Sequence, residues 1–331
     1  MRPFEYARPQ TEEEAVELLQ ISEGGTAVLA GGTDLISLLK RDLLAPRRVV
    51  DIKQIESMKT IERRDDGVLI GALVSLDELA ENPLAAEYAS LQHVVAGVRS
   101  IQVQSMGTVG GDLTHLPNCW YFRNGYGLLG LDQGKSAVAA GDNRYHAILG
   151  NTGLAKFVNA SRFAPGLISW DARVRIVGPG PEDAEFIPLR QFYTTPKRDG
   201  EWNTVLQPGQ LVTHIWLPSA AGRASAAYEV METEGLDWPL AAAAVCLELQ
   251  DGIVLQAGMT RVHRGPVPWV AEQAQRTLIG QAISEATAER AADIAVAAAT
   301  PLSDNAYKVR IARTAVKRAL LRAVGQLEGG L

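Results

Sequence analysis

The chain has 331 residues, which as a soft prior means about two domains. With 47% hydrophobic and 21% charged residues it can build sizeable cores, and a disordered chain is excluded. Thirty-two basic against 38 acidic residues give a net charge of −6, which argues against a nucleic-acid partner; two cysteines, Cys119 and Cys246, exclude a disulfide framework, a four-cysteine zinc site and an iron–sulfur cluster held by this chain alone.

The first residues, MRPFEYARPQ, lack the basic-then-apolar build of a signal peptide. Thr11 and Glu14 form a T-x-x-E capping box ahead of Ala15, Val16, Leu18 and Leu19 at helical spacing. Thr26–Ala30 reads as a strand, Leu35, Ile36, Leu38 and Leu39 as a second amphipathic helix, and Arg48–Ile52 as another strand. The opening is therefore layered β/α. Gly67–Leu73 predicts a strand, Leu76–Glu81 a short helix and Leu91–Val98 another. From Gly107 to Gly153 there are ten glycines and little periodicity, too long for an idle loop, so this stretch is expected to be functional or contact-making. Strands follow at Arg173–Val177, Gln210–Leu217, Ala224–Val230, Ala241–Leu249 and Ile253–Ala257, then helices over about 284–299 and 304–324. The texture places a domain boundary near 170–174. The longest uncharged apolar stretch, Trp238 to Leu247, is about half of the ~20 residues a membrane span needs. The chain is expected to be cytoplasmic, or exported only with a partner that carries a signal.

Two glycine loops carry candidate chemistry. In Val28-Leu-Ala-Gly-Gly-Thr-Asp-Leu35 a strand runs into paired glycines and then a helix. That pattern turns backbone N–H groups toward an anion; it is also compatible with a plain strand–turn–helix connection capped by Thr33 or Asp34. Ser105-Met-Gly-Thr-Val-Gly-Gly-Asp112 repeats the paired glycines beside a hydroxyl. Two such loops could clamp a diphosphate from both sides. Neither matches G-x-G-x-x-G, which disfavours a Rossmann domain. Gly130-Leu-Asp-Gln-Gly-Lys-Ser136 is one residue short of a P-loop. Ser37-Leu-Leu-Lys40 and Ser303-Asp304-Asn305 suggest a serine acylase, but K-T-G is absent. The histidines never take metal-ligand spacing. On the last helix Lys308, Arg310, Arg313, Lys317, Arg318 and Arg322 read as a solvated face.

Assembled in order, FEYARPQTEEEAVELL, VLAGGTDL, IGALVSLDELAENP, GTVGGDL, YEVMETEGLDWPLAAAAVCLEL and PLSDNAYKVRIARTAVKRALL resemble the FAD-binding (medium) subunit of the molybdenum hydroxylases, the xanthine dehydrogenase, carbon monoxide dehydrogenase and aldehyde oxidoreductase family. The resemblance covers nearly the whole chain. It implies an α+β protein: a two-subdomain FAD-binding fold of the vanillyl-alcohol-oxidase (PCMH) type over 1–172, split at about 55, then an α+β C-terminal domain over 173–331. It implies FAD held by Val28, Leu29, Ala30, Gly31, Gly32, Thr33, Asp34 and Leu35 and by Thr108, Val109, Gly110, Gly111 and Asp112, with Val98 and Val212 as apolar flavin contacts. Where relatives have Asn or Ser, Asp112 stands beside the diphosphate; it either accepts from ribityl hydroxyls or weakens FAD binding. Arg162 and Glu229 occupy positions where many relatives carry Asp and Lys as polar flavin contacts, and Arg162 could offer a cation instead.

By the same resemblance, molybdopterin-molybdenum sits on a large partner subunit and two [2Fe–2S] clusters on a small one, in a heterotrimer. FAD here passes their electrons to an external acceptor, and no residue of this chain touches the organic substrate. Some relatives hold a [4Fe–4S] cluster in a loop beside a CWYFR-like sequence; here Cys119-Trp-Tyr-Phe-Arg123 remains but 124–140 has no cysteine, so no [4Fe–4S] is expected. The alternatives are a scaffold subunit that has lost FAD, and a free-standing flavin oxidase.

Overall fold

The computed structural model describes residues 1–20, 25–180, 182–233, 237–262 and 265–327. The opening segment alternates as its periodicity predicts: β1 (Glu5–Ala7), α1 (Glu12–Leu19), β2 (Thr26–Leu29), α2 (Leu35–Lys40) and β3 (Arg48–Asp51). The strands form a parallel sheet in the order β1-β3-β2. Thr11 caps α1 by accepting from the Glu14 N–H, and Ala15, Val16 and Leu19 are the buried face of that helix.

The next segment runs β4 (Ile61–Arg64), β5 (Gly67–Gly71), α3 (Leu76–Glu81), α4 (Ala89–Gly97), α5 (Ile101–Met106), α6 (Val109–Leu113), α7 (Trp120–Arg123), β6 (Leu131–Asp132), β7 (Lys135–Ser136), α8 (Ala137–Ala140), α9 (Ala164–Ser169), β8 (Arg173–Val177), β9 (Ala184–Pro188) and β10 (Leu211–Pro218). An antiparallel sheet in the order β4-β5-β10-β8-β9 spans it. This corrects the expected boundary at 172. β8 and β10 pair with one another, and β10 pairs with β5 from His214 opposite Gly71 to Pro218 opposite Gly67. Strands on both sides of residue 172 thus share one sheet and one core, and the chain leaves it only after Pro218. The residues read as P-loop-like form the β6–β7 hairpin. Ser37 donates to the Asp34 carbonyl and Ser303 accepts from Asn143, so neither belongs to an acylase site.

The remainder folds as β11 (Arg223–Val230), β12 (Ala241–Gln250), β13 (Ile253–Val262) and β14 (Trp269–Val270), an antiparallel sheet in that order, followed by α10 (Glu272–Leu278), α11 (Glu285–Val296) and α12 (Tyr307–Ala323). One face packs on the helices through Val245, Leu247, Met259, Ala291, Ala315 and Leu320. The other meets the first domain: the Ser90 N–H donates to Ser225 Oγ, and a Cβ on Gly258 would fall inside the Ser169 carbonyl. Gly258 thereby lets α9 lie directly on β13. The cations of α12 are less solvated than their spacing suggests. Lys308 is buried and donates to the carbonyls of Tyr145 and His146, while Arg313 pairs with Asp293 and Lys317 with Glu285 and Glu289.

Candidate functional site

A cleft of 610 Å³ opens where the two α/β segments and the C-terminal domain meet, and both glycine loops lie on its walls. The loops touch. A Cβ on Gly31 would overlap the carbonyl oxygen of Met106, so only glycine lets the first loop reach the end of α5. Gly32 takes φ +73, the left-handed turn from which α2 departs. Among the described residues the N–H groups of Gly31, Gly32 and Thr33 donate to no acceptor in the chain, which leaves them for a ligand in the cleft.

The second loop is built differently. Val109 donates to the Val74 carbonyl, Gly110 to Ala72, Gly111 to Thr108 Oγ1 and Asp112 to the Thr108 carbonyl. Its amides are spent on the fold, so the anticipated clamp from two sets of free amides is one-sided. Gly110 packs so closely that a Cβ would stand 2.6 Å from that of Ala72. The second loop contributes a smooth, close wall; the first contributes donors.

The charged positions are resolved by their partners. Asp34 accepts from Arg123 at 2.6 Å, from the Leu116 N–H at 3.4 Å and faces His115 at 3.7 Å. Its negative charge is matched by Arg123, which also donates to the carbonyls of Leu116 and Pro117. Asp112 lines the cleft, and its carboxylate is engaged by the chain itself: it accepts from Ser161 Oγ and, at 3.1 Å, from the N–H groups of Arg162 and Phe163 at the start of α9. The carboxylate expected either to accept from ribityl hydroxyls or to weaken FAD binding thus already has three donors from the chain. Burial raises its pKa, opposed by those hydrogen bonds.

Arg162 and Glu229 find each other. The guanidinium donates through Nε to Glu229 Oε1 at 3.1 Å and through a second nitrogen to Oε2, with side chains 10% and 4% exposed. Burial raises the Glu229 pKa and Arg162 opposes it. The pair crowds Gly97, where a Cβ would lie 2.6 Å from Arg162 and 2.7 Å from Glu229. Arg162 borders the cleft and Glu229 does not.

Of the other residues read from the sequence, Val28, Ala30, Leu35, Val98, Thr108, Gly111 and Val212 line the cleft, whereas Leu29 and Val109 do not. Residues without a sequence signal join them: Arg99, His115, Trp202, Asn203 and Trp238. His115 and Trp238 meet edge to face at 4.7 Å between ring centres. Burial lowers the His115 pKa, so the ring is held neutral against the Asp34 charge. Trp238 was legible only as the first residue of an apolar stretch; an indole at the edge of such a run is the signal that could have marked it.

Residues 2–220 match the FAD binding domain in molybdopterin dehydrogenase, and residues 226–323 match the CO dehydrogenase flavoprotein C-terminal domain. The chain belongs to the FAD-binding subunits of the molybdenum hydroxylases, an oxidoreductase family. It is 28% identical to the carbon monoxide dehydrogenase medium chain of Afipia carboxidovorans over 97% of this chain and 96% of that one. It is also 28% identical to the aldehyde oxidoreductase FAD-binding subunit PaoB of Escherichia coli, over 98% and 100%. Carbon monoxide dehydrogenase from Hydrogenophaga pseudoflava superimposes with a TM-score of 0.76 at 25% identity, covering 99% of this chain and 100% of that one. Among the described residues no helix is long and apolar enough to cross a membrane.

The residues present fit FAD. The free amides of Gly31, Gly32 and Thr33 suit a diphosphate, no uncompensated carboxylate of Asp34 or Asp112 opposes it, and Val98 and Val212 supply apolar walls.

Proposed function

We propose that this chain is the electron-transferring FAD subunit of a complex with a molybdopterin-bearing large subunit and a small subunit carrying two [2Fe–2S] clusters. When bound, FAD would supply the redox chemistry that links the partner's clusters to an external acceptor. The chain's own residues bind and enclose it: Gly31, Gly32 and Thr33 offer N–H donors, Thr108 and Gly111 shape the opposite wall, and Val98 and Val212 exclude water. Arg162 stands at the cleft with its charge balanced by Glu229. The hydroxylation chemistry lies on the partners, so no catalytic residue is assigned here.

The observation that carries this reading is the cleft itself, 610 Å³ and bounded by both glycine loops. The scaffold alternative drew on Asp112, Arg162 and Glu229. Their mutual pairing supports a cleft still able to take an anionic cofactor. The test is flavin extraction from the purified full chain and from its complex. Stoichiometric FAD, with no substrate turnover by the chain alone, is expected; a complex purified without flavin overturns the proposal.

A further inference from the structure

The fork that Arg162 offers to Glu229 leaves one nitrogen over. Nε and Nη2 face the two carboxylate oxygens of Glu229, and Nη1 has no acceptor among the described residues. The side chain is 10% exposed, yet Nη1 keeps access to solvent, and Arg162 lines the large cleft. The two N–H bonds of Nη1 are therefore what the guanidinium presents to that cleft.

Its place in the cleft is given by Gly97. A Cβ there would lie 2.6 Å from Arg162 Nη2, and the next residue, Val98, caps α4 and lines the cleft as an apolar wall. The free amides of the first loop suit the diphosphate; the wall at Val98 suits the ring system, and the guanidinium stands beside that wall. Glu229, 4% exposed and outside the cleft, holds both Nε and Nη2 and so fixes where Nη1 points. It is the positioning residue. A second carboxylate, Asp112, accepts from the Arg162 N–H on the same side. One guanidinium between two carboxylates leaves no surplus positive charge. Removing Arg162 or Glu229 therefore changes the charge beside the cleft by one unit, in opposite senses.

We infer that Arg162 Nη1 donates to the carbonyl-bearing edge of the isoalloxazine and, with Glu229 setting its aim, tunes the midpoint potential of the flavin. The inference rests on the FAD-subunit reading. Two electrons from the reductant and one proton from solvent, taken up at N5, leave the ring with one negative charge over N1 and the C2 carbonyl. A cationic donor aimed at that edge stabilises the charged reduced ring more than the neutral oxidised one. Because the guanidinium is already pinned, no reorganisation opposes the gain.

The test is a spectroelectrochemical titration of the full chain loaded with FAD, beside a titration of oxidised FAD into the chain without it. Arg162→Met is expected to lower the preference for reduced over oxidised flavin at least about tenfold, a potential about 30 mV more negative for a two-electron couple. Glu229→Gln leaves the guanidinium uncompensated, so its potential is expected to move the opposite way. Affinity for oxidised FAD should stay within about threefold in both. If a single variant does not fold, Arg162→Met combined with Glu229→Leu serves: net charge is kept, the donor is lost, and the potential is expected to fall. Potentials that do not move, or that move in the same sense in both single variants, overturn the inference. So does a tenfold loss of oxidised FAD at unchanged potential, which would put Arg162 on the diphosphate. A parent chain that takes up no FAD overturns the FAD-subunit reading and this inference with it. A chain that holds FAD at unmoved potentials overturns this inference alone.

Discussion

Arg162, from the segment that enters α9, and Glu229, from β11, form a buried bidentate pair across the junction of the FAD-binding and C-terminal domains. A charge this enclosed is tolerable only with its partner, since removing one member leaves the other desolvated and uncompensated. Glu229→Ala is therefore expected to destabilise the chain by about 3–5 kcal/mol in urea denaturation, whereas Arg162→Met combined with Glu229→Leu should recover most of that loss. A double variant no more stable than the single one would show that the pair is not the reason for the cost.

The closeness of the glycine loops makes a second, sharper prediction. In Gly31→Ala the new methyl meets the backbone carbonyl of Met106, which cannot rotate aside as a side chain would. Separation of the loops is expected to cost about 1–3 kcal/mol and to lower FAD retention on gel filtration. Gly153 has no positive φ and open space around its Cβ position, so Gly153→Ala should stay within about ±0.5 kcal/mol of the parent. Equal effects at the two positions would remove the special role assigned to Gly31.

How much of this was readable in the chain depends on the length scale of each signal. α3 over Leu76–Glu81 was legible to the residue because Asn82-Pro83 stops it; the Ser75–Glu78 capping box at its start emerges from the structure. The starts of β10 to β13 were legible to within one residue from their β-branched and apolar runs, but β13 continues to Val262, five residues past its expected end. The first glycine loop was legible because strand, glycines and helix are contiguous. The pairing of Arg162 with Glu229 was not: each appeared as an isolated departure, and they are 67 residues apart. The domain boundary failed for the same reason, since the partners of β8 and β10 include β5, far earlier in the chain. α7 and α8 span four residues each, too short to show helical periodicity.

A pH dependence follows from His93. Its Nδ1 accepts from the Ala227 N–H at 3.2 Å, tying α4 to β11, and burial lowers its pKa from 6.5 to about 4. The folded chain thus binds this proton more weakly than the unfolded chain. The stabilisation is complete above pH 6.5 and is lost as the pH falls toward 4. His146, also lowered to about 4, acts in the same sense, while the raised pKa values of Asp112 and Glu229 act oppositely. His93→Asn keeps an acceptor and cannot take up the proton, so its melting temperature should fall less than the parent's between pH 7 and 5. Parallel curves would exclude His93 as a source of the acid sensitivity.

The anchor of the segment over residues 141–151 gives the last prediction. Asn305, fully buried before α12, donates through its side-chain amide to the carbonyls of Asn143, His146 and Ala147, while its oxygen accepts from the Leu302 N–H at 2.7 Å. Lys308, one turn on, holds Tyr145 and His146 through the same kind of bond. Backbone carbonyls buried without donors are costly, so Asn305→Leu should destabilise by about 2–4 kcal/mol. The effect should be concentrated locally: hydrogen exchange over residues 141–151 is expected to accelerate more than exchange in β12, whose amides belong to the central sheet. Uniform acceleration across both segments would mean that Asn305 supports the whole C-terminal domain and not this segment in particular.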